Sequence, residues 1–557
     1  MRHTFSRCII RLTLSCIAML LTGTVASSAQ VLLDKSPKRE VRAVWLTTIG
    51  GLDWPHAYAR SNSDIESQKR ELQSILDKYQ RAGVNTLLIQ TRIRGTMIYP
   101  SGFEPWDGCL SGIPGKSPGY DALQFAIDEA HGRGMEIHAW VVTLPVGKWN
   151  SLGCSRLRKC NPSLIRKIGD EGYMNPEKTE TADYLADICE EITRNYDIDG
   201  IHLDYIRYPE NWPIKVSRQK GRQYITRIVE SIHRRVKTIK PWVKMSCSPI
   251  GKFDDLSRYW SHGWNAYTKV CQDAQGWLKS GLMDALFPMM YFRDEQFYPF
   301  AIDWAEEAAG KIVAPGLGIY LMSPKERDWD TSIITREMFY LRACGLGHTY
   351  FRGQFLTDNL KGIYDFAANS FDATPALVPA TTWISSSKPA PPHSLTVADD
   401  TVCWQPSGSR SVFYNIYSSR NYPVDIEDAH NLIRIRYGQT CICLPTDGGR
   451  YYAVTAMDRY GNESEALQQA QKITVGPAEG KLPMLLCDGS RLRLPDAAAQ
   501  NDANVWLIES LQACPIATRS PNTSWIDVSD ISCGTYILKS LNSKGIAHRV
   551  GFFEIRR

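Results

Sequence analysis

The run DGIHLDYIRYP at 199–209 is the first place where this sequence offers chemistry. Read as a strand, it puts Ile201 and Leu203 on one face and His202 and Asp204 on the other, because side chains alternate along extended backbone. A carboxylate aimed inward at a strand end is costly unless it has partners or a task. Tyr205 and Arg207 are close enough to tune it, and a structural Asp204–Arg207 pair is the plainer alternative. Asp204 is therefore the first candidate for acid/base or nucleophilic work. Comparable residue types stand at the ends of neighbouring β-rich runs: Asp53 with Trp54, Gln90 with Arg92, His138 with Trp140, Tyr291, and Glu104 in a loop with Tyr99 and Trp106. Polar groups, stacking aromatics and several carboxylates together suit a sugar site. Glycosidic hydrolysis asks for one carboxylic acid to protonate the leaving oxygen and a second group to attack or stabilise the anomeric carbon. Glu104, Asp53 and Asp294 compete for that second role. Trp54, Gln90, Arg92, His138, Trp140, His202, Tyr205, Arg207 and Tyr291 are the candidate substrate-binding residues. Spacing alone leaves retention or inversion open.

Two other motifs fail on inspection. GIPGKS at 112–117 imitates a phosphate loop, but Leu110 stands where the first glycine belongs. GKSPG at 115–119 matches the pattern of a nucleophile elbow around Ser117, yet no strand precedes it. Pro118 also has no N–H to offer an oxyanion. Histidines are too sparse around the cysteines for a zinc site, so no metal or other cofactor is expected.

The elements that must position these residues are legible as eight β-rich runs, 41–49, 86–92, 136–143, 199–207, 244–251, 284–292, 312–320 and 346–352. Amphipathic helical patterns such as 65–83 and 181–196 separate them, several ending at a glycine suited to a helix C-terminus. Eight β–α units over this length indicate an α/β fold, a (β/α)8 TIM barrel, over 30–380. In such a barrel the chemistry belongs at the C-terminal ends of the strands. A Ser/Pro linker follows at 381–392. Residues 393–476, with Trp404 and a tyrosine-corner Tyr452, resemble a fibronectin type III sandwich. Residues 481–557 read as a further β-rich domain, loosely similar to terminal domains of secreted Bacteroidetes-type proteins.

The chain has 557 residues, and its hydrophobic (43%) and charged (22%) fractions suit a folded protein rather than a disordered one. Net charge is +5, or +2 once residues 1–29, with three arginines and no acid, are set aside. No basic run or face stands out, so nucleic acid is not an expected partner. The 16 Trp and 26 Tyr supply flat faces of the kind that often line carbohydrate clefts, although most of them are expected in the core. Residues 1–29 read as a secretory signal, with the apolar stretch 12–21 and small residues before a cut after Ala29. That apolar stretch is too short to prefer spanning a membrane. Periplasmic, surface or secreted residence is the expectation. Thirteen of the 15 cysteines lie beyond the signal, so at least one is unpaired within the chain. Cys154 and Cys160 could bridge locally, and Cys441 and Cys443 point to one face.

The segments REVRAVWLTTIGGLDWP (39–55), EPWDGCLSGIPGKSPGYDALQFAIDEAHGRGMEIHAW (104–140) and IDGIHLDYIRYP (198–209) resemble the glycosyl hydrolase-like 10 family, formerly a domain of unknown function. The resemblance implies an exported barrel hydrolase acting on glycans, with peptidoglycan strands stripped of peptides as a substrate class. It places Asp204 where the family has its inward acid. Many members read Asp-Asp-Tyr there, whereas this chain reads Leu203-Asp204-Tyr205. PMMYF is similar to the sixth strand of family 18 chitinases and points Tyr291 at the substrate. The rival reading is a catalytically inactive, carbohydrate-binding envelope protein. A polysaccharide deacetylase would require a His/Asp metal cluster that the sequence lacks.

Overall fold

The computed structural model describes residues 36–556, apart from 260–262, 399, 407, 409–411, 445–448, 471–473, 476–482, 495–502, 512–514, 521–523 and 543–545. The proposed signal at 1–29 lies outside the described residues. They fall into two compact units, Met1–Gln468 and Gln469–Arg557.

The first unit is built on eight parallel strands: β1 (Arg42–Leu46), β2 (Thr86–Arg92), β3 (Glu136–Val142), β4 (Gly200–Asp204), β5 (Lys244–Cys247), β6 (Ala285–Leu286), β7 (Ile312–Val313 and Gly316–Leu317) and β8 (His348–Tyr350). Proline at 315 has no N–H to give a ladder, and β7 is interrupted there. Its first half pairs with β6 and its second half with β8, so the sheet closes on itself. All eight runs read from the sequence are barrel strands. Alternation sorts their side chains into two cores. Trp45, Leu88, Trp140, Val142, Phe287 and Ala314 fill the barrel. Val44, Ile89, Ile137, Ile201, Leu203 and Leu286 face outward, under the helices.

Those helices include α1 (Asn62–Arg81), α2 (Ala122–Gly132), α3 (Thr179–Asn195), α4 (Arg218–Ile239), α5 (Ala274–Lys279), α6 (Tyr298–Glu306) and α7 (Thr331–Ala343). The start of α1 shows why the sequence stops and turns there. Ser61 accepts the Asp64 N–H while Asp64 accepts back, a reciprocal cap that satisfies donors a helix start would otherwise leave unpaired.

Beyond the barrel, strands His393–Ala398, Thr401–Gln405 and Cys441–Cys443 form one antiparallel sheet. Leu432–Tyr437, Phe413–Ser419, Tyr451–Met457 and Leu467–Gln468 form a second, and Trp404 is buried among their apolar faces. Thr474–Val475 instead pairs with Ile546–Ala547, so this module's own strands end at Gln468, short of 476. Cys441 is bonded to Cys403 on the neighbouring strand. The local Cys154–Cys160 bridge is not formed. Both sit on one helix, Leu152–Cys160, and six residues at 100° each place them on different sides. Replacing both Cys403 and Cys441 by Ser should lower unfolding stability by about 2–4 kcal/mol, since the bond restricts the unfolded chain. A denaturant titration checks this, and a change near zero would remove the bond from the account. The second unit holds a five-stranded sheet and a two-stranded one, with Leu492, Trp506, Ile508, Leu538 and Phe553 in its own core.

The sandwich is tied to the N-terminal end of the barrel by a buried cation. Arg436 reaches Asp199, just before β4, at 2.6 Å and Glu136, at the start of β3, at 3.1 Å. Lys244 at the start of β5 also meets Glu136, at 2.8 Å. Burial alone would push the Glu136 carboxyl up, but Lys244 and Arg436 outweigh it and hold it at about 2.

Candidate active site

Asp204 is the last residue of β4, and the alternation that buries Ile201 and Leu203 outward turns its carboxylate into the mouth of the barrel. It is only 7% exposed. Oδ1 accepts the Tyr205 N–H at 2.8 Å and the Ser248 hydroxyl at 2.8 Å. Oδ2 accepts the Trp140 indole N–H at 3.1 Å. Oδ2 therefore carries a single one of these bonds and is the oxygen with a lone pair left for proton transfer. Burial raises the Asp204 carboxyl above the ordinary aspartate range, and the Ser248, Arg207, Tyr205 and Trp140 contacts pull it only part of the way back. A raised proton affinity is the direction of shift that suits a general acid.

Tyr205 occupies the left-handed region at φ 53°, rare for a residue with a large side chain. That turn brings its N–H back onto the carboxylate. Its ring carries the Arg207 guanidinium at 4.5 Å. Arg207 does not bridge to Asp204; it pairs with Glu210 at 2.6 Å and acts on Asp204 through its charge. Across the mouth, Tyr291 stacks on Phe351 at 5.1 Å with Tyr320 edge-on at 5.7 Å. Gly316 permits this wall, because a Cβ there would come within 2.9 Å of the Trp45 ring and 3.2 Å of the Tyr291 ring. The Tyr291 hydroxyl is held well above its ordinary value by burial, with Tyr320, Asp204 and Tyr205 adding to the effect.

The other candidates are placed differently. Gln90 and Arg92 do not share a face, since a register shift after Gln90 pairs Arg92 with Val141 and turns it outward. There Arg92 grips Glu104 with two bonds of 2.9 and 2.6 Å, beneath α3, and Tyr184 adds a contact to Glu104 at 3.2 Å. Gln90 accepts the N–H groups of Thr48 and Ile49 at 3.1 and 2.9 Å. Asp53 fastens the loops after β1 and β8: it accepts from Thr47 N–H at 2.7 Å, from Gln354 N–H at 2.8 Å and from Arg352. Trp54 is fully buried, its N–H on the Gln68 carbonyl. Asp294 sits on an exposed turn beside Arg293, its side chain 56% exposed. Glu104 and Asp53 are thus held by arginines, while Asp294 lies on an exposed turn.

His202 lies below Asp204 in the packed barrel. Its Nε2 accepts the Trp45 N–H at 3.1 Å and its Nδ1 meets Ser246 Oγ at 3.1 Å, a set that requires the neutral ring. Burial, with a smaller push from His138, drives its proton affinity well down. His138 is one layer lower, opposite Gly200, and buried. Both rings are barrel filling rather than substrate contacts. Sequence reading missed Ser248, Tyr320 and Phe351. Ser248 was within reach of the alternation argument, two residues beyond an inward Ser246.

Two further features face away from the mouth. Glu40, His348 and Asp372 present ligand atoms within 4.8 Å of one another. Both carboxylates are already matched there by Arg42 and by Arg342, whose guanidinium reaches them at 2.6 and 2.8 Å, which makes an ion network rather than a cation cradle. A cleft of about 1110 Å³ runs between the barrel's N-terminal end and the sandwich, lined by His131, Arg133, Arg434 and Arg436 among others. It includes nothing from the Asp204 end of the strands.

The family model described as glycosyl hydrolase-like 10 matches residues 40–220 and 217–326. The protein of Bacillus subtilis (strain 168) called glycosyl hydrolase YngK is 26% identical over 507 aligned positions, covering 82% of this chain and 98% of its own. Glycosyl hydrolase DigH of Escherichia coli (strain K12) is 29% identical over 304 positions, covering 48% of this chain and 69% of its own. Among solved structures, the PgaB (BpsB) glycoside hydrolase domain from Bordetella bronchiseptica superposes with a TM-score of 0.41 at 15% identity, over 59% of this chain and 98% of that one.

Proposed function

This chain belongs to the glycosyl hydrolase-like 10 family, and on that premise we propose that it is an exported hydrolase cleaving O-glycosyl bonds of an N-acetylated glycan, peptidoglycan strands in particular. The observation that carries this reading is the buried Asp204 carboxyl at the C-terminal end of β4, with raised proton affinity and one oxygen, Oδ2, that takes a single hydrogen bond. Its proton would pass from Oδ2 to the glycosidic oxygen as the bond from that oxygen to C1 breaks. Because Glu104, Asp53 and Asp294 are bound elsewhere or exposed, the electron pair for C1 would come from the substrate's own 2-acetamido oxygen, closing a five-membered ring. Water would then open that ring at C1 and lose its proton to the Asp204 carboxylate. The Tyr291, Phe351 and Tyr320 wall offers the stacking surface for the sugar. Export rests on the sequence of residues 1–29, and the sandwich is read as a fibronectin-type spacer.

The mechanism fixes a sign for pH dependence. If protonated Asp204 is the active form, kcat/KM falls as pH rises through its raised pKa. Ser248 stabilises the charged form through its 2.8 Å bond, so Ser248→Ala should move that alkaline limb to higher pH. A downward shift would contradict the assignment. Glu210→Gln tests the exposed carboxylate that Arg207 holds: it should leave the bond-breaking step within about tenfold, far from the loss expected on removing a catalytic acid. Tight binding of peptide-free glycan strands by the unaltered protein, with no cleavage, would favour the inactive carbohydrate-binding alternative.

A further inference from the structure

The disulfide of the sandwich has a third cysteine beside it. Strands Thr401–Gln405 and Cys441–Cys443 run antiparallel, with Cys403 opposite Cys441, Val402 opposite Ile442 and Thr401 opposite Cys443. Bonds from Trp404 N–H to the Thr440 carbonyl and from Leu444 N–H to the Asp400 carbonyl continue the pairing at both ends. Because side chains alternate, Cys403, Cys441 and Cys443 share one face, while Val402, Trp404 and Ile442 enter the core. Cys441 and Cys443 are exposed, so the sulfur atoms are on the solvent side. Cys443 is a free thiol, diagonal to Cys403. Diagonal partners in a sheet are about 7–8 Å apart, too far for a disulfide, whose Cβ atoms stand about 3.5–4.5 Å apart.

The sequence supplies the missing movement. Residues 441–444 read Cys-Ile-Cys-Leu, a cysteine and an aliphatic residue twice over. Advancing the strand by one residue would turn its core face to solvent, but an advance of two keeps every side chain on its own side. Cys443 then stands opposite Cys403, and Leu444 takes the buried place of Ile442 against Val402. Leu444 already packs on that core, half-buried. Among the described residues Cys441–Cys443 pairs with Thr401–Gln405 alone, so no second ladder opposes the shift. The Tyr437 hydroxyl, donating to the Cys441 carbonyl at 2.9 Å, favours the present register. Tyr437, Ile442 and Cys443 line the cleft of about 1110 Å³ beside the barrel, and the two registers give that cleft different walls.

We propose that 441–444 is a two-register segment and that Cys443 is the internal nucleophile that moves the disulfide between registers, a thiol-operated switch in the sandwich. The Cys443 thiolate attacks Sγ of Cys403. The Cys403–Cys441 bond breaks as the Cys403–Cys443 bond forms, and Cys441 leaves as a thiolate that takes up a proton in place of the one Cys443 lost. One disulfide and one thiol are present before and after, so the exchange consumes no oxidant or reductant. The test uses the full chain, kept folded in a buffer of oxidised and reduced glutathione, then acid-quenched, alkylated and digested. Mass spectrometry of the linked peptides, with fragment ions that locate the alkylated cysteine, identifies the register. In Cys441→Ser, where glutathione disulfide is the oxidant, the Cys403–Cys443 bond should form in most molecules. Adding Leu444→Asn should lower its yield at least about tenfold, because the shift would carry an amide into the core. In the unaltered protein the same buffer should bring up the Cys403–Cys443 peptide as a second species, absent from Cys443→Ser, and this arm decides the matter if Cys441→Ser does not fold. Cys403 recovered as a free thiol from folded Cys441→Ser, or no Cys403–Cys443 peptide from the unaltered protein, overturns the proposal. So does a Cys441–Cys443 bond formed in its place, or Cys443 linked to a second copy of the chain. A Cys403–Cys443 bond that survives Leu444→Asn undiminished would form without the shift and overturn the two-register account.

Discussion

Changing Asp204 to Asn is expected to lower kcat/KM by at least about 10³-fold, within the span attributed to general acid–base catalysis. The melting temperature should stay within a few degrees. Asn keeps the volume of Asp and an oxygen for the Tyr205 N–H and the Ser248 hydroxyl, but it can neither donate nor take up the reaction's proton. The stability expectation follows from linkage. Burial raises the Asp204 pKa in the fold, so stability present in acid is lost as pH rises from the ordinary aspartate range through that raised value. Wherever Asp204 is ionised in the fold its buried charge works against stability, and Asn removes that charge. One donor is then left facing another near Trp140, which offsets part of the gain. Because Arg207 is matched by Glu210 rather than by Asp204, no buried guanidinium is stranded. Unchanged turnover with a sharply lower melting temperature would make Asp204 structural.

The second large effect concerns Arg436. Its side chain is buried with Glu136 and Asp199, two carboxylates at the starts of adjacent barrel strands. Arg436→Met should lower unfolding stability by about 3–5 kcal/mol, because removing one partner leaves buried charge poorly compensated. Lys244 at Glu136 and His131 at Asp199 keep the loss from being larger. The pH dependence gives a check on cause. Both carboxylates are held below their ordinary values, so their contribution is present above the usual carboxylate range. It disappears as pH falls through the folded values, about 2 for Glu136. The difference between the two proteins should therefore narrow below a pH of about 4, where unfolded carboxylates take up protons. Denaturant titrations at neutral and acid pH measure it, and a constant or negligible difference would contradict the ion-pair account.

The eight barrel strands were legible because each is a compact β-rich run followed by a helical period, a signal that is local in sequence. Asp204 was legible for the same reason, since alternation within one strand fixes its side. What escaped depends on pairing across strands. Gln90 and Arg92 look equivalent until β2 meets β3 and the register shift turns Arg92 outward onto Glu104. Asp53 looks free until Arg352 and Gln354 arrive from the loop after β8, which folding lays beside β1. Cys403 and Cys441 are separated by 38 positions and are joined only because their strands are neighbours.

The central claim is that Asp204 supplies a proton to the departing sugar oxygen, and leaving-group dependence tests it most directly. The unaltered protein and Asp204→Asn would be compared on two N-acetylglycosides. One releases a sugar alcohol, which needs protonation to leave, and the other releases dinitrophenolate, which does not. The account predicts a loss of at least about 10³-fold on the first substrate and a loss reduced to about tenfold or less on the second. An equal loss on both would show that Asp204 does something other than protonate the leaving group, and would contradict the account.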